Sequence, residues 1–410
     1  MSMTSLLTLP SGDRCNSSST NRNPSAAHRE TTALRIQVID RLSELRSLRD
    51  EWDDLSRQAS EANFSHESWF LTEAIAYFAR DRSLRIVAVH EAATREHPAR
   101  LVGLFPLEFQ PRFGRWPIPN LRLLKHPYAF LGTPLIRAGL ERAVWRKLLE
   151  SLRSVEQRAW LIDLPTVAGD GPVHLALIDE LSARNQAWTQ LSRYHRAALR
   201  KTASVDDYLV GSMTNHQRQE MRRRSRRFSE AGAVRLDVVE TVAELEDWVT
   251  GFLHLEAQGW KGAAAGAMAC DQSRGDFLLR TVTDAFLRDQ AELLTLRLDG
   301  RPVAMKCNFL CGTTGFAFKI AFDEELARFS PGVLLELETI RRAHENRRLA
   351  WMDSCAVPDH FMINRLWSER RPISRLLVST GTRAGDLAVG ALPFVASIRK
   401  ACGPRPSAHT

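Results

Sequence analysis

The chain has 410 residues, 44% apolar and 25% charged, close to folded averages, and its length suits two units of about 150–200 residues better than one core. The formal charge of +8 admits a phosphate-bearing ligand, yet only seven of the 56 basic residues are Lys, a skew that a GC-rich coding genome produces without any DNA or RNA surface. The six Cys show no zinc-type double pair and no run approaches the roughly 18 apolar residues that cross a bilayer, so the simplest reading is a metal-free cytoplasmic protein without stable membrane insertion.

Residues 1–32 are rich in Ser, Asn, Thr and Pro and read as a disordered leader. Leu34 to Ile39 alternates like a strand, and Leu42, Leu45, Leu48, Trp52 and Leu55 then recur at helical spacing. A helix over 67–79 follows, then a hairpin from 84–90 and 101–110. A strand near Tyr128–Ile136, a helix over 141–155, a strand at 160–164, a helix over 173–184 and a strand around 187–194 complete a first half, assigned to 33–200.

Between 201 and 232 lies a basic connecting helix, with Arg222, Arg223, Arg224, Arg226 and Arg227 among few apolar residues; it is either a solvated face or a seat for a phosphate-rich partner. The first half's order of elements then begins again over 233–380: a strand at 234–239, helices over 242–257 and 274–290, and a hairpin turning at Asp299-Gly300. A strand at 315–322, a helix over 332–346, a strand at 349–353, a short helix over 360–367 and a strand at 373–379 follow. The offsets between matching elements are roughly 190–205 residues, which points to a structural duplication. A helix and tail occupy 381–410.

One segment of the second half carries a chemical signal. The strand ending at Phe322 leads through Arg328 into Ser330-Pro331-Gly332 and a helix. Ser330 is suited to N-cap it, Pro331 fits the first helical position, and the N–H groups of Gly332, Val333 and Leu334 are expected to stand free at the positive end of the dipole. Such a start seats a pyrophosphate, with Arg328 adding charge, although the same residues also begin helices that bind nothing. The matching turn of the first half, Thr133-Pro134 to Glu141, has no comparable Gly.

With these residues the sequence resembles the FemAB-related, CelD-type branch of the GNAT superfamily. The likeness is strongest in Glu256-Ala-Gln-Gly-Trp260-Lys261-Gly262, Gly300-Arg-Pro-Val-Ala304, Phe329-Ser-Pro-Gly332 and Asp353-Ser-Cys-Ala-Val-Pro-Asp-His360 with Trp367. The resemblance implies an α/β (α+β) fold of two tandem GNAT-like halves, with mixed central sheets flanked by helices. It also implies transfer of an acetyl or acyl group from acyl-CoA to an amine or hydroxyl of an envelope saccharide precursor. Fem-type relatives use aminoacyl-tRNA instead, and a non-catalytic partner of a polysaccharide synthase is a third role open to this fold.

In the implied mechanism the acceptor attacks the thioester directly. A backbone N–H on the strand 303–310 is expected to polarise the carbonyl. His360 is the candidate base, oriented by Asp353 or Asp359, unless Asp359 merely caps the short helix. Glu256, Trp260 and Lys261 are candidates for an acceptor-binding wall, or else a helix end anchored by Trp; Lys319 and Asp323 flank the phosphate-type loop as weaker candidates.

Overall fold

The computed structural model describes residues 33–95, 97–259 and 268–402, so the expected leader and the candidates Trp260 and Lys261 lie outside the described residues. The first half contributes β1 (Leu34–Ile39), β2 (Leu84–Glu91), β3 (Arg100–Gln110), β4 (Asn120–Leu123), β5 (Leu135–Ile136), β6 (Leu161–Ala168) and β7 (Trp188–Arg200). The second contributes β8 (Val234–Val238), β9 (Ala291–Leu298), β10 (Arg301–Cys311), β11 (Thr314–Phe322), β12 (Trp351–Asp353) and β13 (Glu369–Ser379). Helices flank a mixed sheet, and among the described residues none is long and apolar enough to cross a membrane.

The two expected sheets are joined into one, ordered β1-β2-β3-β4-β6-β13-β7-β12-β11-β10-β9-β8. From either edge inward the pattern is the same: three antiparallel pairings, one parallel pairing (β4 with β6, β11 with β12), then an antiparallel strand. That last strand is exchanged. β7, which closes the first half in sequence, pairs with β12, while β13 returns to pair with β6. The exchanged strands lie against one another from Glu369↔Ala198 to Val378↔Trp188.

A strand at Tyr128–Ile136 is the main element the structure corrects. Only Leu135–Ile136 pairs, and the strand that fills the sheet position is Asn120–Leu123. Pro134 removes a backbone donor from the expected stretch and Pro127 directly precedes it, whereas Asn120–Leu123 is free of Pro and starts directly after Pro119. The expected helix from Leu42 also breaks at Leu48 into Leu42–Ser47 and Arg49–Gln58.

An aromatic core crosses between the halves. Phe64 lies 5.2 Å from Phe309, Trp69 5.0 Å from Phe309, and Phe70 5.3 Å from Phe277, all buried. Each such pair adds about 0.5–1.5 kcal/mol beyond its buried area. Two histidines sit within or beside this core. Burial pushes His66 down to about 4 and His126 down to about 3. The unfolded chain therefore binds protons before the folded one does. Their contribution to stability is fully present above the ordinary histidine value of about 6.5, and shrinks as pH falls toward and through the folded values. Urea unfolding between pH 7 and pH 4 is expected to show that decline, and replacing His126 with Phe to flatten part of it.

Candidate functional site

The parallel strands β11 and β12 are paired only at Thr314↔Trp351, Gly315↔Met352 and Phe316↔Asp353. Beyond these positions β11 continues to Phe322 with no further pairing to β12, so these two strands splay into a wedge. On its other side β11 meets β10 with a register shift between Cys307↔Lys319 and Asn308↔Ala317, which leaves Phe318 as the extra residue of a bulge. A bulged residue falls out of the ladder, so backbone polar groups become available beside the wedge. The carbonyl-polarising group expected on β10 thus has a competitor on β11, a placement that residue type alone does not reveal.

The loop after β11 forms one edge of the wedge. Asp323 accepts from the Glu325 N–H at 2.9 Å and pairs with Arg301, opening a 3-10 helix over Glu324–Phe329. Ser330 then stands at φ 55, ψ 56, in the left-handed region, before the helix Pro331–Glu345. The expected capping by its side chain does not occur, because that backbone turns the hydroxyl away from the first helical N–H groups. Its Oγ accepts instead from Arg224 of the basic helix Asn215–Glu230.

Val333 and Leu334 are not free either: both N–H groups donate to the Ser330 carbonyl, at 2.9 and 3.1 Å. Of the three expected donors, only Gly332 keeps an N–H without a backbone partner among the described residues. Gly332 also has a packing reason, since a Cβ there would lie 2.8 Å from the Phe322 ring. Arg328 is exposed, its guanidinium 4.7 Å from the Phe329 ring. Below, the buried pair Lys306–Glu336 at 2.5 Å ties the helix to β10 and fixes its start against the wedge.

Glu256, Gly259, Ala321, Phe322 and Glu324 line a small cavity at this edge. Glu256 is 2% exposed near the end of the helix Leu245–Gln258. Its carboxylate accepts from Lys319 at 3.0 Å and from the Met268 N–H at 2.8 Å, so it spans the segment between 259 and 268. Lys319 in turn lies 5.3 Å from the ring of Tyr128, whose hydroxyl burial lifts to about 12. Sequence patterning had no means of bringing Tyr128, from the first half, to this place.

Asp353 has a different role from the one expected. It is wholly buried, and its carboxylate accepts from Arg196 of β7 at 2.6 Å, from Arg371 of β13 and from the Cys355 N–H at 2.9 Å. Burial alone would raise this carboxyl, but the two guanidiniums outweigh it and hold the group below its ordinary range. It ties β12 to the exchanged strands β7 and β13. His360 is half-buried beyond β12, with its Nδ1 accepting from the Ile363 N–H at 3.3 Å and its ring stacked on Phe361. Asp359 is exposed and caps nothing: the helix Ile363–Leu366 has Met362 at its N-cap and no side-chain cap bond. Among the described residues no group of His, Cys, Asp and Glu is placed to hold a metal ion.

Residues 215–361 match the acetyltransferase (GNAT) domain family. No curated protein matches the sequence. Among solved structures the chain is similar to FemX, at a TM-score of 0.53 and 10% identity over 80% of this chain and 95% of that one. It is also similar to a conserved protein of unknown function from Bacteroides thetaiotaomicron VPI-5482 (TM-score 0.49, 12% identity, 84% and 99% covered). A tandem GNAT protein from the clavulanic acid biosynthesis pathway follows at a TM-score of 0.41 and 13% identity, with 85% and 99% covered. At 10% identity the FemX likeness establishes the fold alone.

Proposed function

Residues 215–361 form a GNAT acetyltransferase domain, and from that premise we propose that the chain moves an acetyl or longer acyl group from a CoA thioester to an amine or hydroxyl acceptor by direct attack. The acceptor in this reading is a saccharide precursor of the cell envelope, met in the cytoplasm. The observation that carries the proposal is the wedge between β11 and β12 opening onto the start of the helix Pro331–Glu345. A pantetheine arm carries amides and fits the wedge where β11 parts from β12, and the pyrophosphate falls at the Gly332 N–H with Arg328 beside it. The thioester carbonyl then lies near the bulge at Phe318.

The acceptor approaches from the side of Glu256, Lys319 and Tyr128, with Trp260 and Lys261 as further wall residues. Glu256 is the buried carboxylate lining the cavity beside the wedge, and in this reading it receives the acceptor's proton while Lys319 holds it in place. Calorimetric titration of the full chain with acetyl-CoA tests the donor. Arg328→Glu reverses an exposed charge without touching the packing of Gly332 on Phe322. It is expected to weaken binding by on the order of tenfold, as a charged partner of a phosphate should. No binding by the folded wild type at low salt would remove the proposal.

Aminoacyl-tRNA as donor is a second reading, favoured by one observation: Arg222, Arg223, Arg226 and Arg227 are exposed on the helix that Arg224 fastens to Ser330. Many released counterions would make such binding fall steeply with salt, whereas CoA contacts few charges and falls little.

A further inference from the structure

The first half repeats the wedge without the donor loop. β4 and β6 run parallel from Asn120↔Leu161 to Arg122↔Asp163 and then part. The helix that follows, Glu141–Val155, starts on a glutamate with no side-chain cap, so its N-terminus disfavours an anion. The mouth of this wedge nonetheless opens into a cavity of about 200 Å³. Arg122, Lys125 and Ser192 line it with Asp163, Thr166 and Arg375.

The cations of this wall are only partly used. Arg375 places Nε and Nη2 on the two oxygens of Asp163, at 2.8 and 2.7 Å. Arg122 places Nε and Nη2 on one oxygen of Glu108, at 3.0 and 2.6 Å. The carboxylates hold both guanidiniums in fixed orientation and leave each Nη1 without a partner among the described residues. The same is true of the exposed Lys125 ammonium. Thr166 sits on the lip at φ 56, where a β-branched residue is rarely found. Gly132 keeps it there: its N–H donates to the Thr166 carbonyl at 2.9 Å, and a Cβ on Gly132 would come within 2.2 Å of the Pro165 carbonyl oxygen. The shape of the lip is therefore imposed by its neighbours.

We propose that this cleft is a phosphate-binding site, distinct from the donor wedge, that takes the phosphate monoester or diphosphate of the acceptor. Unspent donors arrive from the β4 side, from β13 and, through the Ser192 hydroxyl, from β7. A tetrahedral phosphate offers oxygens in as many directions, whereas a carboxylate presents two in one plane. The site shares no residue with the donor wedge, but its assignment to the acceptor rests on the acyltransferase reading.

The test uses the full chain carrying Arg328→Glu, so that the donor seat is weakened, and titrates it with inorganic pyrophosphate by calorimetry at low salt. One bound pyrophosphate is expected, weakened on the order of tenfold when Lys125→Glu is added. Lys125 and Ser192 are both exposed, and Ser192→Asp is expected to weaken binding in the same way. Absence of binding in the Arg328→Glu chain, or binding untouched by both further substitutions, overturns the site. Either result leaves acetyl-CoA binding by the wild type, and hence the donor reading, separately measurable.

Discussion

Replacing Asp353 with Ala is expected to cost about 3–5 kcal/mol of stability, the usual penalty for leaving a buried charge without its partner. Arg196 is 1% exposed and Arg371 7%, so neither guanidinium reaches enough water to replace the lost carboxylate. Arg196 keeps the Phe130 carbonyl at 2.6 Å and Arg371 keeps Glu61 at 3.5 Å, which places the loss toward the lower end of that range. Arg196 and Arg371 stand opposite each other on β7 and β13, the strands the halves exchange, so the loss should appear as one cooperative shift across both halves. The pH dependence has a definite sign. Because the folded pKa lies below the ordinary carboxylate value, the stabilisation is fully present above that value and is lost as pH falls through the depressed one. Wild type and Asp353→Ala should therefore differ by a constant amount between about pH 5 and pH 8. A difference under about 1 kcal/mol in urea unfolding would mean that the network behaves as a solvated one.

Glu256→Gln is expected to lower turnover by about 10²–10⁴ while acetyl-CoA affinity changes little, the signature of lost proton transfer. Gln keeps an oxygen for the Met268 N–H, so the segment joining 259 to 268 retains its tie. Rapid-quench measurement of the acyl-transfer step with an amine acceptor separates this effect from product release. If the step keeps its wild-type rate, Glu256 is a structural partner of Lys319 and the base lies elsewhere, with His360 the next residue to replace.

Much of the fold was legible because the signals were local. Hydrophobic period marked most helices, Asp299-Gly300 marked the β9–β10 turn with positive φ at both residues, and repetition of order marked the duplication. The strand exchange was not legible, since β7 and β13 look like strands whichever neighbour they take. The site was read less well for the same reason. Ser330-Pro331-Gly332 announces a helix start, but the Ser330 hydroxyl is engaged by Arg224, 106 positions away, and does not cap the helix. Asp353 looked catalytic because it ends a short strand beside His360. Its actual partners, Arg196 and Arg371, lie 157 and 18 positions away. Tyr128 joins Lys319 only because the two halves share a core.

Amide hydrogen exchange with and without acetyl-CoA tests the central claim most directly, because it reports where on the sheet the donor lies. Protection is predicted for amides of β11 from Phe318 to Phe322 and for the Gly332 N–H, with β4 and β6 unchanged. Protection centred on β4 and β6, or none at β11 under saturating acetyl-CoA, would contradict the account.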